Sequence, residues 1–244
     1  MATAEVKKIR GIVIRQSDAK ETAAVVTAIN EEGLFSFFAH GIKKMGGKNA
    51  AGCSLLSYSE FSVSESGSGT LTLKEASPLQ SYLQTDSFDS CVCESLLVEM
   101  ASRLVQEDEA PEAYPWFFGA LQAIHDGKDP YTATLIAMAH FLELCGIGLQ
   151  VNECVICGSK ERISGVSYEE GGFVCHHCFD PSAMEKSPDM VLKILRYIFK
   201  APLSDFGRVS LDRDFALRVA RQLIQYIDEM TGTKLRSFDV LYHS

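Results

Sequence analysis

The sequence predicts an α+β multidomain protein, in which a small N-terminal β-barrel precedes a helical domain interrupted by a cysteine-rich segment. Three observations support this architecture. Residues 6–76 hold short β-branched and aromatic runs separated by Gly-rich turns. From about Ser87 onward, apolar residues recur at helical spacing. Residues 151–182 carry two Cys-x2-Cys pairs and no helical pattern, so they form a separate insert.

The N-terminal runs are regular enough to predict a particular barrel. The expected strands cover residues 6–15, 23–30, 34–40, 55–64 and 70–76. Five short strands within about 75 residues match the size of the five-stranded oligonucleotide/oligosaccharide-binding (OB) fold. We therefore assign residues 1–78 to an OB-fold β-barrel domain.

The remaining chain predicts antiparallel helices around a common core. Phe88, Val92, Leu96 and Met100 follow helical periodicity, and Pro130 is suited to open a later helix. Gly232 follows the last periodic segment and is a plausible helix cap. The helical domain is accordingly divided into residues 79–150 and 183–244, on either side of the insert at 151–182.

The insert contains the strongest motif in the chain. Cys154 and Cys157 form the first pair, Cys175 and Cys178 form the second, and seventeen residues separate the pairs. Two such pairs indicate a zinc site, and four sulfur ligands fill a tetrahedral sphere. The sequence therefore predicts a four-cysteine zinc ribbon with one structural zinc ion. A redox dithiol is the weaker alternative, because it needs one Cys-x2-Cys pair within a βαβ unit.

Several enzyme classes lack the motifs they would need. The His-x-Glu signature of zinc deaminases and the His-Glu-x-x-His helix of metalloproteases are both absent. The segment from Gly41 to Asn49 resembles a phosphate-binding loop, but one extra residue intervenes and Asn49 replaces the required hydroxyl. We expect no catalytic residues and a protein that is not an enzyme.

Charge is unevenly distributed along the chain. The net charge is -9, yet residues 1–50 hold eight Lys/Arg against five Asp/Glu. A basic barrel face would suit a polyanion backbone, whereas an acidic total argues for a protein partner. Ordinary surface solvation is the simpler explanation of each cation. The candidate DNA-contacting residues are Lys8, Arg10, Arg15, Lys43, Lys44 and Lys48. Phe35, Phe37 and Phe38 are candidates for base stacking, although core packing is the stronger expectation for most of them.

A series of short segments resembles the family of the bacterial DNA repair protein RecO across nearly the whole chain. They include the strand at 11–15, the Ala39-His40-Gly41-Ile42-Lys43-Lys44 loop and the helix end at 141–147 before the first cysteine pair. Gly171-Gly172-Phe173-Val174 precedes the second pair, and Lys234-Leu235-Arg236-Ser237 matches the family's ending. Each segment is short, but their order and spacing together are specific.

The resemblance implies a recombination mediator. It implies binding of single- and double-stranded DNA, annealing of complementary strands, and loading of RecA together with RecR and RecF. It also implies contact with the acidic C-terminal tail of single-stranded DNA-binding protein. The chain departs from the family after Lys44, where the family commonly has a basic residue followed by Ser. The alternative is a zinc-containing interaction adaptor that does not bind DNA directly.

The sequence also predicts where the protein acts. No apolar run approaches the roughly 18 residues that span a bilayer. The first residues are polar and lack the apolar centre of a signal peptide. We therefore expect a cytoplasmic, nucleoid-associated protein with no membrane contact.

Overall fold

The computed structural model describes residues 6–44, 47–67, 69–83, 86–182, 184 and 186–242. The β-strands are β1 (Val6–Lys20), β2 (Ala23–Asn30), β3 (Gly33–His40), β4 (Ser57–Glu65), β5 (Leu71–Ser81), β6 (Ile163–Ser167) and β7 (Gly172–Cys175). The α-helices are α1 (Phe88–Arg103), α2 (Ala110–His125), α3 (Pro130–Leu144), α4 (Asp189–Ile198) and α5 (Arg213–Thr231). The predicted α+β architecture is therefore confirmed. No helix in the described part of the chain combines the length and apolar character that crossing a membrane requires.

The first strands close into a barrel in the order β1-β2-β3-β5-β4. The long β1 belongs to two sheets, because residues 6–12 pair with β4 and residues 12–20 pair with β2. A parallel pairing of β3 with β5 closes the barrel. This is the five-stranded arrangement expected of an OB fold. Two strands are longer than the sequence predicted: β1 continues to Lys20 and β5 continues to Ser81.

Aromatic side chains fill the barrel interior. Phe37 and Phe61 are fully buried, with ring centroids 4.8 Å apart, and Phe35 lies 6.1 Å from Phe61 in an edge-on arrangement. Gly11 is required beside Phe35, because a Cβ at Gly11 would lie 2.8 Å from that ring. The alternation of these buried positions with exposed ones follows the period of two expected of β-strands.

The outside of the barrel docks on the helical domain through the middle of β1. Ile12 and Ile14 point away from the barrel interior and join the buried core formed by the helices. Leu56 and Tyr82 extend the same contact. Helices α1 and α2 provide the opposing surface, with α2 packed on β2 and β3. The far ends of β1, β2 and β3 consequently extend beyond the helices.

Helix α3 is the centre of the helical domain. Pro130 occupies its first turn, and the Asp129 carboxylate accepts hydrogen bonds from the Tyr131 and Thr132 amides. Asp129 also accepts from the Leu211 amide at 2.9 Å, which ties the segment before α5 to the start of α3. Gly232 ends α5 with a φ of 69°, which confirms the predicted cap.

The C-terminal tail is fastened by one carboxylate. Glu99 on α1 accepts hydrogen bonds from the Arg236 amide at 2.8 Å, the Ser237 amide at 2.9 Å and the Ser237 hydroxyl at 2.8 Å. Leu235 and Phe238 are buried on either side of this contact. The segment Lys234-Leu235-Arg236-Ser237 therefore attaches this part of the chain to α1.

Candidate nucleic-acid interface and metal centre

The four paired cysteines converge on one point. The sulfur atoms of Cys154, Cys157, Cys175 and Cys178 all lie within 4.8 Å of one another, and the Cys157 and Cys175 sulfurs are 3.6 Å apart. A tetrahedral zinc site with Zn–S bonds of about 2.3 Å has S···S edges of about 3.8 Å. The cluster could therefore hold a metal ion, and its donor set fits zinc.

Backbone hydrogen bonds close each cysteine pair into a turn and favour the thiolate of Cys154, whereas hydrogen bonds among the sulfurs raise the pKa of Cys157 and of Cys178. The Gly158 amide donates to the Cys154 carbonyl at 2.8 Å, and the Phe179 amide donates to the Cys175 carbonyl at 3.0 Å, so each pair lies on a closed turn. Burial works to raise the pKa of Cys154, but backbone amides that point at its sulfur outweigh burial and lower the pKa to about 6. A thiolate is the form that a metal ligand requires.

The two short strands of the cysteine insert are joined to the helical domain by aromatic contacts. β6 and β7 pair antiparallel around a turn at 168–171, as the sequence predicted. Phe173 on β7 is fully buried in the main helical core. The Tyr168 ring lies 5.6 Å from that of Tyr226 on α5. The insert is therefore packed against the helical domain.

Three of the six candidate DNA-contacting cations lie on the outer face of β1, β4 and β5. Lys8 donates to Glu60 at 2.7 Å, and Arg10 donates to the same carboxylate at 3.0 Å. Lys48 forms an ion pair with Glu75 at 2.8 Å. The common outward direction predicted for Lys8 and Arg10 is confirmed by their shared partner. The three cations of this face are paired with two carboxylates, which weakens its positive field.

The acids on this face are held in their charged form. Hydrogen bonds from Lys8 and Arg10 keep the pKa of the Glu60 carboxyl below its ordinary value. A hydrogen bond from Lys48 has the same effect on the pKa of Glu75. Both carboxylates therefore remain ionised at neutral pH and continue to neutralise the neighbouring cations.

The other three candidate cations lie on β1 beyond its bulge and in the first part of the loop after β3. A β-bulge in β1 between Val13 and Arg15 turns Arg15 outward, where it pairs in register with Thr27 on β2. Lys43, in the loop after β3, contacts Asp18. Arg15 and Lys44 are exposed and form no ion pair with any residue that the structure describes. The six candidates therefore differ in environment: Lys8, Arg10, Lys43 and Lys48 are ion-paired, whereas Arg15 and Lys44 form no ion pair with a described residue.

The loop between β3 and β4 is anchored to the barrel at several points. Ile42 and Cys53 insert into the barrel core. The Asn49 side chain accepts a hydrogen bond from the Ala76 amide at 3.1 Å and so ties the loop to β5. Asn49 replaces the hydroxyl of a phosphate-binding loop and has this structural role instead. The sequence departs from the family pattern over residues 45–49, and residues 45 and 46 of this segment lie outside the described residues.

Only one of the three candidate stacking aromatics lies on the outer surface. Phe37 is 1% exposed, and both it and Phe35 pack inside the barrel, so stacking by these two is excluded by burial and geometry. Phe38 is half-buried on the outer face of β3, and its ring lies 4.5 Å from the exposed His40 ring. His40 was not identified from the sequence as a candidate; its position two residues after Phe38 on a strand is the signal that places both on one face.

Two arginines in the C-terminal part of the chain form surface salt bridges. Arg208 pairs with Asp205 at 3.3 Å, and Arg213 pairs with Asp89 at 3.2 Å. Arg196 instead contacts a backbone carbonyl and an aromatic ring. Its Nε donates to the Val151 carbonyl at 2.9 Å, and its guanidinium lies 5.2 Å from the centre of the Phe173 ring.

Comparisons with known proteins agree with this geometry. A family model described as "Recombination protein O N terminal" matches residues 1–82, and one described as "Recombination protein O C terminal" matches residues 86–238. A protein named DNA repair protein RecO from Bacillus subtilis is 28% identical over 235 residues, covering 94% of this chain and 91% of that protein. Proteins of the same name from Bacillus cytotoxicus and Listeria innocua are 29% and 28% identical and cover 95% of this chain. The alignments cover 94% and 92% of those two proteins, respectively.

Proposed function

The chain belongs to the RecO family of DNA repair proteins, and from this premise we propose that it is a recombination mediator that binds single- and double-stranded DNA and anneals complementary strands. The observation that carries the proposal is the outer face of β1, β2 and β3 around Arg15, Ser36 and His40, all three of which are exposed. OB folds bind oligonucleotides on the face formed by their second and third strands.

This outer strand face has the groups that single-strand binding needs. Phe38 and His40 offer ring surfaces on which bases can stack, and stacking does not depend on base identity. Arg15 lies on the same face across β2, and the Thr27 and Ser36 hydroxyls, 2.9 Å apart, lie between them. Arg15 and Lys44 would contact phosphates first, because no neighbouring carboxylate competes for them.

Annealing on such a face requires positioning and no chemical step. Cations that neutralise one strand's phosphates lower its repulsion of a second strand. Bases that stack singly on Phe38 or His40 keep their pairing edges accessible. We propose accordingly that the protein is not an enzyme and has no catalytic residues.

The cysteine cluster is proposed to hold one structural zinc ion. Cys154, Cys157, Cys175 and Cys178 supply four thiolate ligands, which leave no open coordination position. The ion would close the ribbon and thereby fix Phe173 in the helical core. Zinc is not proposed to touch DNA.

The proposed partners follow from the recombination role. The protein would act with RecR and RecF to load RecA, and would contact the acidic tail of single-stranded DNA-binding protein, at the nucleoid in the cytoplasm. The ion-paired state of Lys8, Arg10 and Lys48 supports a second candidate function. With these cations neutralised, the β1-β4-β5 face suits a protein partner better than DNA, as in an interaction adaptor that does not bind DNA directly.

Fluorescence anisotropy with a labelled single strand, without partner proteins, tests the proposal. Phe38→Ala should weaken binding about 5- to 150-fold, because stacking on one aromatic ring is worth about 1–3 kcal/mol. Phe88→Ala is the matched control, since Phe88 is 58% exposed at the start of α1. Equal affinities for the two variants would contradict the strand face. Absence of binding by the unaltered protein would favour the adaptor function.

A further inference from the structure

The C-terminal part of the chain contains a concentration of positive charge that its acidic composition conceals. Residues 186–200 hold four Lys/Arg and one acidic residue. Lys193 and Arg196 project from α4 at helical spacing, and Lys200 follows just beyond its end. All three are exposed. With a rise of 1.5 Å per residue, they lie along roughly 10 Å of one helix face.

These cations lack acidic partners. Neither Lys193 nor Lys200 makes an ion pair with any residue within the described ranges. Asp205 is the one acid among the residues that line the adjoining cleft, and Arg208 already contacts it at 3.3 Å. The basic α4 face is defined as Lys193, Arg196 and Lys200. Asp189 lies one turn before Lys193 on α4, and Glu143 lines a neighbouring cleft with Lys200, but neither acid forms an ion pair with these described cations, so their charge can act on a ligand.

The basic α4 face borders an open cleft of about 430 Å³ whose walls are held in place. Besides the three cations, Asn152, Tyr197, Ala201 and Asp205 line it. The ring nitrogen Nε2 of His140 donates to the Ala201 carbonyl at 3.0 Å, and the same ring stacks on Trp116 with centroids 3.4 Å apart. A fixed floor lowers the entropy cost of binding.

Arg196 is positioned by the cysteine ribbon. Phe173 lies beneath its guanidinium, and the Val151 carbonyl accepts from its Nε at 2.9 Å. The carbonyl occupies one donor, while the remaining guanidinium N–H groups keep the geometry that matches a phosphate. The ribbon therefore supports the middle cation of the row.

We propose that the basic α4 face binds the phosphate backbone of a nucleic-acid strand, as a second contact separate from the barrel. The inference rests on the proposed function in that it takes this protein to be a DNA binder. Helix α4 packs on α3, whereas the barrel packs on α1 and α2. One molecule would thus hold two strand segments at distinct surfaces, which is an arrangement that annealing can use.

A nucleic acid fits this face better than an acidic peptide does. Peptide recognition usually depends on apolar anchors that fill a desolvated pocket. The cleft offers Tyr197 and Ala201 as its apolar contacts, and the rest of its lining is polar or charged. A row of exposed cations without a deep apolar pocket is typical of sequence-independent phosphate contact.

The test measures single-strand affinity across a salt series for Lys193→Ala/Lys200→Ala. Lys160→Ala/Lys234→Ala is the matched control, because it removes the same charge from two other exposed lysines. Arg196 is left intact to preserve its packing on Phe173. We expect a loss of about 2- to 30-fold, since each exposed charge pair is worth about 0.2–1 kcal/mol. The slope of log affinity against log salt concentration should become shallower by about 1.4, because each phosphate contact on a single strand contributes about 0.7 to it.

The other outcomes separate this inference from the proposed function. If the unaltered protein binds DNA and both double variants retain its affinity and slope, the basic α4 face is wrong while DNA binding by the barrel stands. If the unaltered protein fails to bind DNA, the proposed function fails first. If a decameric aspartate peptide displaces the strand from the unaltered protein, and the α4 variant loses only peptide binding, the face binds an acidic peptide and the inference is overturned.

Discussion

The barrel domain, residues 1–78, carries nine basic residues and residues 186–200 carry four, and the two regions present them differently. Among the described residues, Lys7, Lys8, Arg10, Lys43 and Lys48 each contact a carboxylate. On α4, Lys193 and Lys200 contact none, and Arg196 is held by a carbonyl and an aromatic ring. The barrel has more Lys/Arg in its sequence, but five of them are ion-paired, whereas Lys193 and Lys200 form no ion pair with any described residue.

This comparison shows that the number of basic residues in a segment is a poor measure of the positive electrostatic field at its surface. Exposed ion pairs are weak, at about 0.2–1 kcal/mol, so a phosphate can still displace a carboxylate from a barrel lysine. Each displacement nevertheless leaves an acid facing the DNA. Cations that form no ion pair with a described residue largely avoid this cost, which applies to Arg15, Lys44, Lys193 and Lys200.

The largest expected effect comes from disrupting the metal site of the cysteine insert, which carries the Phe173 ring beneath Arg196. Cys175→Ser should abolish zinc binding and lower the free energy of unfolding by about 4 kcal/mol or more, because loss of a structural metal is among the most destabilising single changes. Zinc content by mass spectrometry and denaturant unfolding would measure both. Cys91→Ser, a half-buried cysteine outside the cluster, is the control. Full zinc content in Cys175→Ser would contradict the four-sulfur site.

A smaller effect should distinguish free from paired cations on the barrel itself. Arg15→Ala should weaken single-strand binding about two- to fivefold, since one unpaired exposed charge is worth up to about 1 kcal/mol. Lys8→Ala should change the affinity less, because the charge of Lys8 is already partly neutralised by Glu60 and therefore attracts DNA less strongly. Anisotropy under identical salt measures both. A greater loss for Lys8→Ala than for Arg15→Ala would reverse the comparison.

The smallest effect should be a gain. Glu60→Gln removes the carboxylate that Lys8 and Arg10 share, so the two cations become available and DNA affinity should rise about twofold. The same gain should appear on acidification only well below neutral pH. The folded-state pKa of Glu60 is depressed, so the carboxylate stays charged until the pH falls through that lowered value. Glu107→Gln, at an exposed acid without an ion pair in the described structure, should leave affinity unchanged.

Much of this fold could be predicted because its signals are local. Strand alternation, Pro130 and Gly232 each act within a few residues, and the cysteine spacing identifies the ribbon. The position of Arg15 could not be predicted in this way. Its parity along β1 matches that of Ile9 and Val13, which pack toward the barrel core, and the β-bulge after Val13 turns it outward.

The candidate interface depended on contacts between distant residues. The pairing of Lys48 with Glu75 and of Lys43 with Asp18 joins loops to strands that are far apart in sequence. Phe35, Phe37 and Phe38 look alike in sequence, and only closure of the barrel leaves Phe38 outside. The basic α4 face was not identified from the sequence; it emerges because Lys193 and Lys200 form no ion pair with any residue that the structure describes.

The salt dependence of single-strand affinity for two variants tests the central claim most directly. One variant removes the paired barrel cations as Lys8→Ala/Arg10→Ala/Lys48→Ala, and the other removes the free α4 cations as Lys193→Ala/Lys200→Ala. The structure predicts that the α4 pair lowers the slope of log affinity against log salt by about 1.4, and that the barrel triple lowers it by less than about 0.7. A larger decrease for the barrel triple than for the α4 pair would contradict the account.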